Sequence, residues 1–371
     1  HNPPFDIPVR FRSWTLDTSF RGSGSLGIVK KFNNHDDDSS IVIKKFTDPF
    51  GNKQRANMVK RDLNLLRTIK HAHIVHLIEE YKVPNGEEFD IYHITKYCGE
   101  PINKKIEQGS YSMRKVKQWT RELLQALMHL HSNGVVFRNL HPGIDDLHPG
   151  IDPGICIDDN LNLTLTGFGR ARSIKYETAN MTARVGKEPY MPIELFIDWE
   201  GPYDERVDMW SVAAVLCELI TGQQMFGGDE VKNSLKRQLE YCGPVSEGVL
   251  RQMSAKDTSN LEQAMTRKAY ERKDFIDILR EKMLPDREVV HADIVLNEDS
   301  LRAFLDHMLV FDPLNRMSAE GALAHPFLRE LRSWELPYSG DDDMHELKRS
   351  ILEEIAASRC EIREEDYDSI R

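Results

Sequence analysis

Ile41-Val42-Ile43-Lys44 is an apolar run closed by a lysine, and what flanks it decides how the chain folds. Three β-branched residues in a row favour a strand, because branching at Cβ crowds a helical turn but packs well on a pleated surface. Upstream lies Gly22-Ser23-Gly24-Ser25-Leu26-Gly27-Ile28-Val29, with glycine at its first, third and sixth positions. Alone that pattern is weak, since a tight turn between two strands needs glycines anyway. A dinucleotide-binding unit would open a helix directly after the glycines. Here the β-type run 28–32 follows instead, then a polar loop over 33–40 and the lysine strand. Downstream, Lys53–Thr68 carries Ala56, Val59, Leu63 and Leu66 three or four residues apart, the spacing of one helix face.

Further strands are expected at 15–20, 74–81 and 89–95, the last two joined by the turn signal Val83-Pro84-Asn85-Gly86. After Gly99 the character becomes helical. Met113–Ser132 sets Val116, Trp119, Leu123, Leu124, Leu127 and Leu130 on one side, and 207–221 is almost wholly apolar, as a buried core helix would be. A helix over 301–310 is stopped by Asp312-Pro313. The fold class is therefore α+β, a small sheet lobe with one long helix followed by a larger helical lobe. The expected divisions are 1–98, 99–330 and a helical extension over 331–371. One local oddity is that Leu140-His141-Pro142-Gly143-Ile144-Asp145 recurs at 147–152. Two copies cannot stack into a solenoid, so this is a local insertion or a defect in the recorded sequence.

The 371 residues are 40% hydrophobic and 29% charged, an ordinary globular balance, and the net charge is −11. There is no overall basic field for nucleic acid or an anionic membrane, and an acidic surface favours basic peptide partners. No apolar run reaches transmembrane length and the opening residues, from His1, show no secretory pattern. The five cysteines lack C-x-x-C pairs, which argues for reduced thiols. A cytoplasmic or nuclear protein is the expectation.

Six matches in chain order carry a resemblance to the protein kinases. The glycine-rich run resembles G-x-G-x-x-G-x-V, and Ile41-Val42-Ile43-Lys44 resembles the V-A-I-K strand whose lysine meets nucleotide phosphates. Phe137-Arg138-Asn139-Leu140 resembles the catalytic-loop H-R-D-L, Gly167-Phe168-Gly169 stands in the place of D-F-G, and Pro192-Ile193-Glu194 in that of A-P-E. Asp208-Met209-Trp210-Ser211 resembles the helix start whose aspartate braces the catalytic loop. Lys44-Lys45-Phe46 with Pro49-Phe50, Met181-Thr182-Ala183-Arg184-Val185, and Leu309–Arg316 are similar to MAP kinases of the stress-activated branch. The resemblance covers roughly residues 5 to 328.

It implies a nucleotide cleft formed by Gly22, Ser23, Gly24, Gly27, Val29 and Lys44, with Asp62 pairing Lys44 in place of the family's longer glutamate. Thr95 and Cys98 stand where kinases have their gatekeeper and hinge. Phe168 and Leu26 are apolar side chains able to fill that cleft. ATP is the implied ligand, whereas magnesium is not expected: the metal-holding aspartate of D-F-G is Gly167, and the catalytic-loop asparagine falls on Ile144 or Gly154 depending on the direction of counting. The base position is Asn139, beside Arg138, and an amide cannot accept a proton as a carboxylate does; such a loss costs about 10²–10⁴-fold. A pseudokinase that works by binding protein partners is the leading expectation. Its rival is an active Ser/Thr kinase in which Asp146 of the repeated segment serves as base, with Asp145 or Asp152 near a metal; aspartate before Pro-Gly also caps turns.

Thr182 keeps the first phosphorylation position while the second is Arg184, and Arg61 and Arg138 stand where MAP kinases gather arginines on the phosphothreonine. Glu194, Asp208 and Arg316 are expected to be structural. Arg170 or Arg172 is a candidate to neutralise phosphate in place of a metal, or else lies exposed in the activation segment. His71, His73, His76, His129 and His131 lack acidic partners at metal-ligand spacing. Asp341-Asp342-Asp343 is either a docking patch for basic peptides or a solvated cap before a helix.

Overall fold

The computed structural model describes residues 7–20, 22–24, 26–86, 88–109, 111–143, 154–174, 186–196, 199, 204–227, 231–252 and 270–329. These belong to one compact unit, His1–Arg329. Asp145, Asp146, Asp152, Thr182, Arg184, Asp341-Asp342-Asp343 and the expected C-terminal extension lie outside the described residues.

The N-terminal lobe is an antiparallel sheet with one long helix. Strands β1 (Thr15–Leu16) and β2 (Gly22–Gly24) pair along successive stretches of β3 (Gly27–Asn33). β4 (Ser40–Phe46) leads into α1 (Lys53–Thr68), and β5 (Leu77–Asn85) and β6 (Glu88–Lys96) complete the order β1-β3-β4-β6-β5. The two-residue period of β4 divides its side chains cleanly. Ile41 and Ile43 join Phe32, Tyr92 and Ile94 on one face, which Phe11, set edge-on to Trp14, also covers. Phe46 on the other face packs with Leu26 and with Val59 of α1. Lys44 shares that second face, and the registers Val29↔Lys44 and Lys44↔His93 align it across three strands. α1 starts where the Asn52 side chain accepts from Arg55 N. It buries Val59, Asp62 and Leu66, so a carboxylate sits within its apolar stripe.

The C-terminal lobe is mostly helical. After β7 (Glu100–Pro101) and α2 (Asn103–Gln108) comes α3 (Met113–Ser132), capped by the Ser112 side chain. Short strands β8 (Val135–Val136), β9 (Ile155–Ile157), β10 (Leu163–Leu165) and β11 (Arg172–Ser173) pair as β10-β9-β7 and β11-β8. α4 (Ile193–Phe196) and α5 (Arg206–Thr221) follow, and α5 is buried on every side from Val207 onward. α6 (Val231–Cys242), α7 (Glu247–Leu250), α8 (Phe275–Lys282), α9 (Glu288–Met308), α10 (Ala319–Ala324) and α11 (Pro326–Arg329) complete the lobe. Main-chain bonds tie the lobes together: Val75 N donates to Leu165 O and Leu165 N to His73 O, both at 2.9 Å.

Three elements differ from the sequence expectation. The strand expected over 15–20 ends at Leu16, because the Asp17 carboxylate accepts from Ser19 N and Phe20 N and turns the chain. β5 runs through Pro84 to Asn85, which is tolerated because β5 is an edge strand whose outer side needs no N–H donor. The helix expected over 301–310 is the C-terminal part of the longer α9, which ends at Met308.

Candidate active site

Lys44 of β4 reaches Asp62 of α1 with Nζ 3.5 Å from Oδ2, and their side chains are only 5% and 2% exposed. The shorter acid therefore still meets the lysine. His93 of β6 lies on the same carboxylate, with Nδ1 3.9 Å from Asp62 Oδ2. Above this pair the β2–β3 hairpin makes the glycine-rich turn, with Gly22 opposite Val29 and Gly24 opposite Gly27. Gly27 is required by close approach, since a Cβ there would fall 1.9 Å from the Lys45 carbonyl oxygen. The side chain of Ser23 lies outside what is described. Thr95 is buried on β6 and Cys98 is a half-buried free thiol beyond its end.

The catalytic-loop backbone is held from below by Asp208 at the start of α5. Its Oδ1 accepts from Arg138 N at 2.7 Å, while Oδ2 accepts from Phe137 N at 2.8 Å and contacts His131 Nε2 at 2.9 Å. Arg138 has φ +58°, and its Nε and Nη2 both donate to Arg170 O, at 3.0 and 2.8 Å. Phe168 is fully buried and meets Phe137 edge-on at 5.1 Å, which joins the Gly167-Phe168-Gly169 turn to the lobe core.

Asn139 is 3% exposed and donates from Nδ2 to Gly167 O at 3.1 Å. Its Oδ1 is buried with no donor among the described residues. Gly167 offers no side-chain ligand. Gly154 has no room for one: a Cβ there would lie 2.2 Å from Asn139 O. Among the described residues no group of three or more His, Cys, Asp or Glu side chains is placed to hold a metal. At Gly167 and Gly154 the described residues thus offer no side-chain oxygen of the kind a magnesium ion needs.

Arg170 Nη1 donates to Gly186 O at 2.9 Å, and Arg172 is buried in β11, so both guanidinium groups sit within the protein's own fabric. Glu194 and Arg316 form a fully buried pair, with Nη1 to Oε1 at 2.8 Å, and Arg316 also donates to Val310 O and Arg206 O. Every donor in that pair has a partner of the kind a buried charge requires. His71 stacks on His129 at 5.1 Å with His73 beside it. Burial, then the neighbouring His129 and His73, push the His71 pKa down to about 4.

Two neighbours of the centre escape sequence reasoning. His93 comes to Asp62 only through strand register, which one sequence does not reveal. Arg55 reads as a solvent-facing helix residue, yet its Nε donates to Thr47 O at 2.7 Å and its Nη2 to Leu26 O at 3.1 Å.

The sequence matches the protein kinase domain family over residues 18–328. Among curated proteins the chain is 28% identical over 325 residues to the mitogen-activated protein kinase HOG1A of Wallemia ichthyophaga, an alignment that spans 87% of this chain and 78% of that protein. It is 26% identical to the mitogen-activated protein kinase HOG1 of Alternaria brassicicola, over 87% of this chain and 81% of that protein. The mitogen-activated protein kinase mpkC of Emericella nidulans is likewise 26% identical, over 87% and 68%.

Proposed function

The chain belongs to the protein kinase family, and on that premise we propose that it is a MAP-kinase-like pseudokinase, a signalling protein that acts by binding other proteins rather than by phosphorylating them. The observation that carries this reading is the bond from Asn139 to Gly167 O. At the two positions where phosphoryl transfer needs a proton acceptor and a metal ligand, an amide and a glycine have closed on each other. Transfer is mainly positioning and charge neutralisation, and both agents are missing from the described centre.

Nucleotide is the ligand the cleft is equipped to hold. Lys44, held by Asp62, would face the phosphates, while the main chain of Gly22, Ser23, Gly24 and Gly27, the Val29 side chain and the Thr95–Cys98 stretch would line the rest. ATP would bring a phosphate chain that this site neutralises through Lys44 rather than through a metal. MAP-kinase-like relatives and an acidic net charge support basic peptide segments as partners, and Asp341-Asp342-Asp343 is the proposed docking patch. A place in the cytoplasm or nucleus fits this role; among the described residues no helix is long and apolar enough to cross a membrane.

A thermal melt with excess ATP, run once with magnesium and once with EDTA, tests the reading alongside phosphate transfer to a generic basic protein. Stabilisation follows ligand concentration over Kd. An equal shift in EDTA, with no transfer, is the expected result. A shift that needs magnesium, together with transfer abolished by Asp146→Asn, would sink the pseudokinase reading in favour of an active kinase with Asp146 as its base.

A further inference from the structure

We propose that the cleft is closed by the protein itself: Leu26, in the glycine-rich turn, is a plug over Lys44, and Arg55 is the latch that holds it. The proposal rests on the kinase-cleft reading above and adds the state in which that cleft is kept. Leucine at the tip of a hairpin between two glycines would ordinarily face solvent. Here Leu26 is 1% exposed and packs with Phe46 and Val59, with Met58 at the margin of the same cluster. It also presses on the opposite wall. A Cβ on Gly169 would fall 2.7 Å from Leu26 Cδ1, so the plug spans from the sheet to the Phe168–Arg170 turn of the other lobe. That is the path a phosphate chain would take from the glycine-rich turn to Lys44.

Two bonds to its main-chain oxygen fix the plug in place. Thr47 N donates to Leu26 O at 2.9 Å, and Arg55 Nη2 donates to the same oxygen at 3.1 Å. Because Arg55 Nε holds Thr47 O, one guanidinium fork grips the turn and the start of the following loop together. The fork is planar and donates in fixed directions, so it sets position as well as charge. The consequence shows at Lys44. Its side chain is 5% exposed and that of Asp62 2%, so with Leu26 seated the ammonium is largely shielded from solution.

The closed state makes a measurable statement about Lys44 that does not depend on nucleotide affinity. Wild type, Leu26→Ala and Arg55→Ala are treated with a small water-soluble acylating reagent, and acetylation of Lys44 is timed by peptide mass spectrometry. Exposed Lys53 and Lys60 serve as internal standards, and the melting temperature of each variant checks its fold. The expected result is that Lys44 in either variant reacts at least tenfold faster relative to those standards. Equal rates in the wild type and in both folded variants would overturn the plug. The same variants titrated with a fluorescent adenine nucleotide in EDTA are expected to bind at least tenfold more tightly than wild type. If Lys44 acylation rises while nucleotide binding stays absent, the plug stands and the nucleotide part of the proposed function falls. Should Leu26→Ala fail to fold, Arg55→Ala decides, since it leaves the apolar cluster whole.

Discussion

The side-chain amide of Asn139 and the main-chain oxygen of Gly167 are joined by a 3.1 Å hydrogen bond, which links the catalytic loop to the turn that follows β10. An aspartate in its place would present oxygen to oxygen. Asn139→Asp, the change that nominally restores a catalytic base, is therefore expected to cost stability, about 1–3 kcal/mol for an acceptor left without its donor. Its urea midpoint should fall at pH 7 and phosphate transfer should remain absent. A variant as stable as wild type that phosphorylates a basic protein would refute the account of this pair.

Gly154, one of the two candidates for the second metal-ligand position, resists repair for a different reason. Gly154→Asn must place its Cβ where the Asn139 carbonyl oxygen now lies. Overpacking of this kind costs about 1–3 kcal/mol. The expected outcome is a lower melting temperature with no magnesium-dependent shift, read by thermal denaturation with and without the ion.

Arg316 and Glu194 test the lobe rather than the chemistry. Arg316→Met leaves a carboxylate of 0% exposure facing apolar surroundings, and breaking such a buried pair from one side costs about 3–5 kcal/mol. Replacing both, as Glu194→Leu with Arg316→Met, should recover part of the loss. A double-mutant cycle by urea unfolding reads the coupling, and additive losses would argue against a tight pair.

His71 gives the protein a pH slope. Its pKa is about 4 when folded, against an ordinary value of 6.5, so the unfolded chain takes up the proton first as pH falls. The contribution of His71 is fully present above pH 6.5 and is lost progressively between 6.5 and 4. His129 and His73, which face it, add their own repulsion once charged. In His71→Asn the urea midpoint should fall less steeply over that window than in wild type. Parallel slopes would remove His71 as the cause.

How far the sequence foretells this site depends on the kind of information each residue carries. α1 and α3 begin and end where periodicity and capping place them, because Asn52 and Ser112 announce their first turns. Losses are also visible: a glycine at 167 has no side-chain ligand in any fold. Contacts set by tertiary approach are another matter. Nothing in Arg55 distinguishes it from its exposed neighbours on α1 until Leu26 O comes within 3.1 Å. His93 acquires its place beside Asp62 only when β4 and β6 take their register. The early end of β1 is intermediate, since Asp17 followed by two short polar residues is a local turn signal that β-propensity outweighed.

Asp208 has one more consequence. It holds the loop through the peptide N–H groups of residues 137 and 138, which every amino acid except proline possesses. That hold is thus indifferent to which side chains stand at 137 and 138, and a change of chemistry there leaves the two backbone bonds available. One buried carboxylate thereby anchors the backbone of its neighbours, while their side chains at 137–139 make contacts of their own.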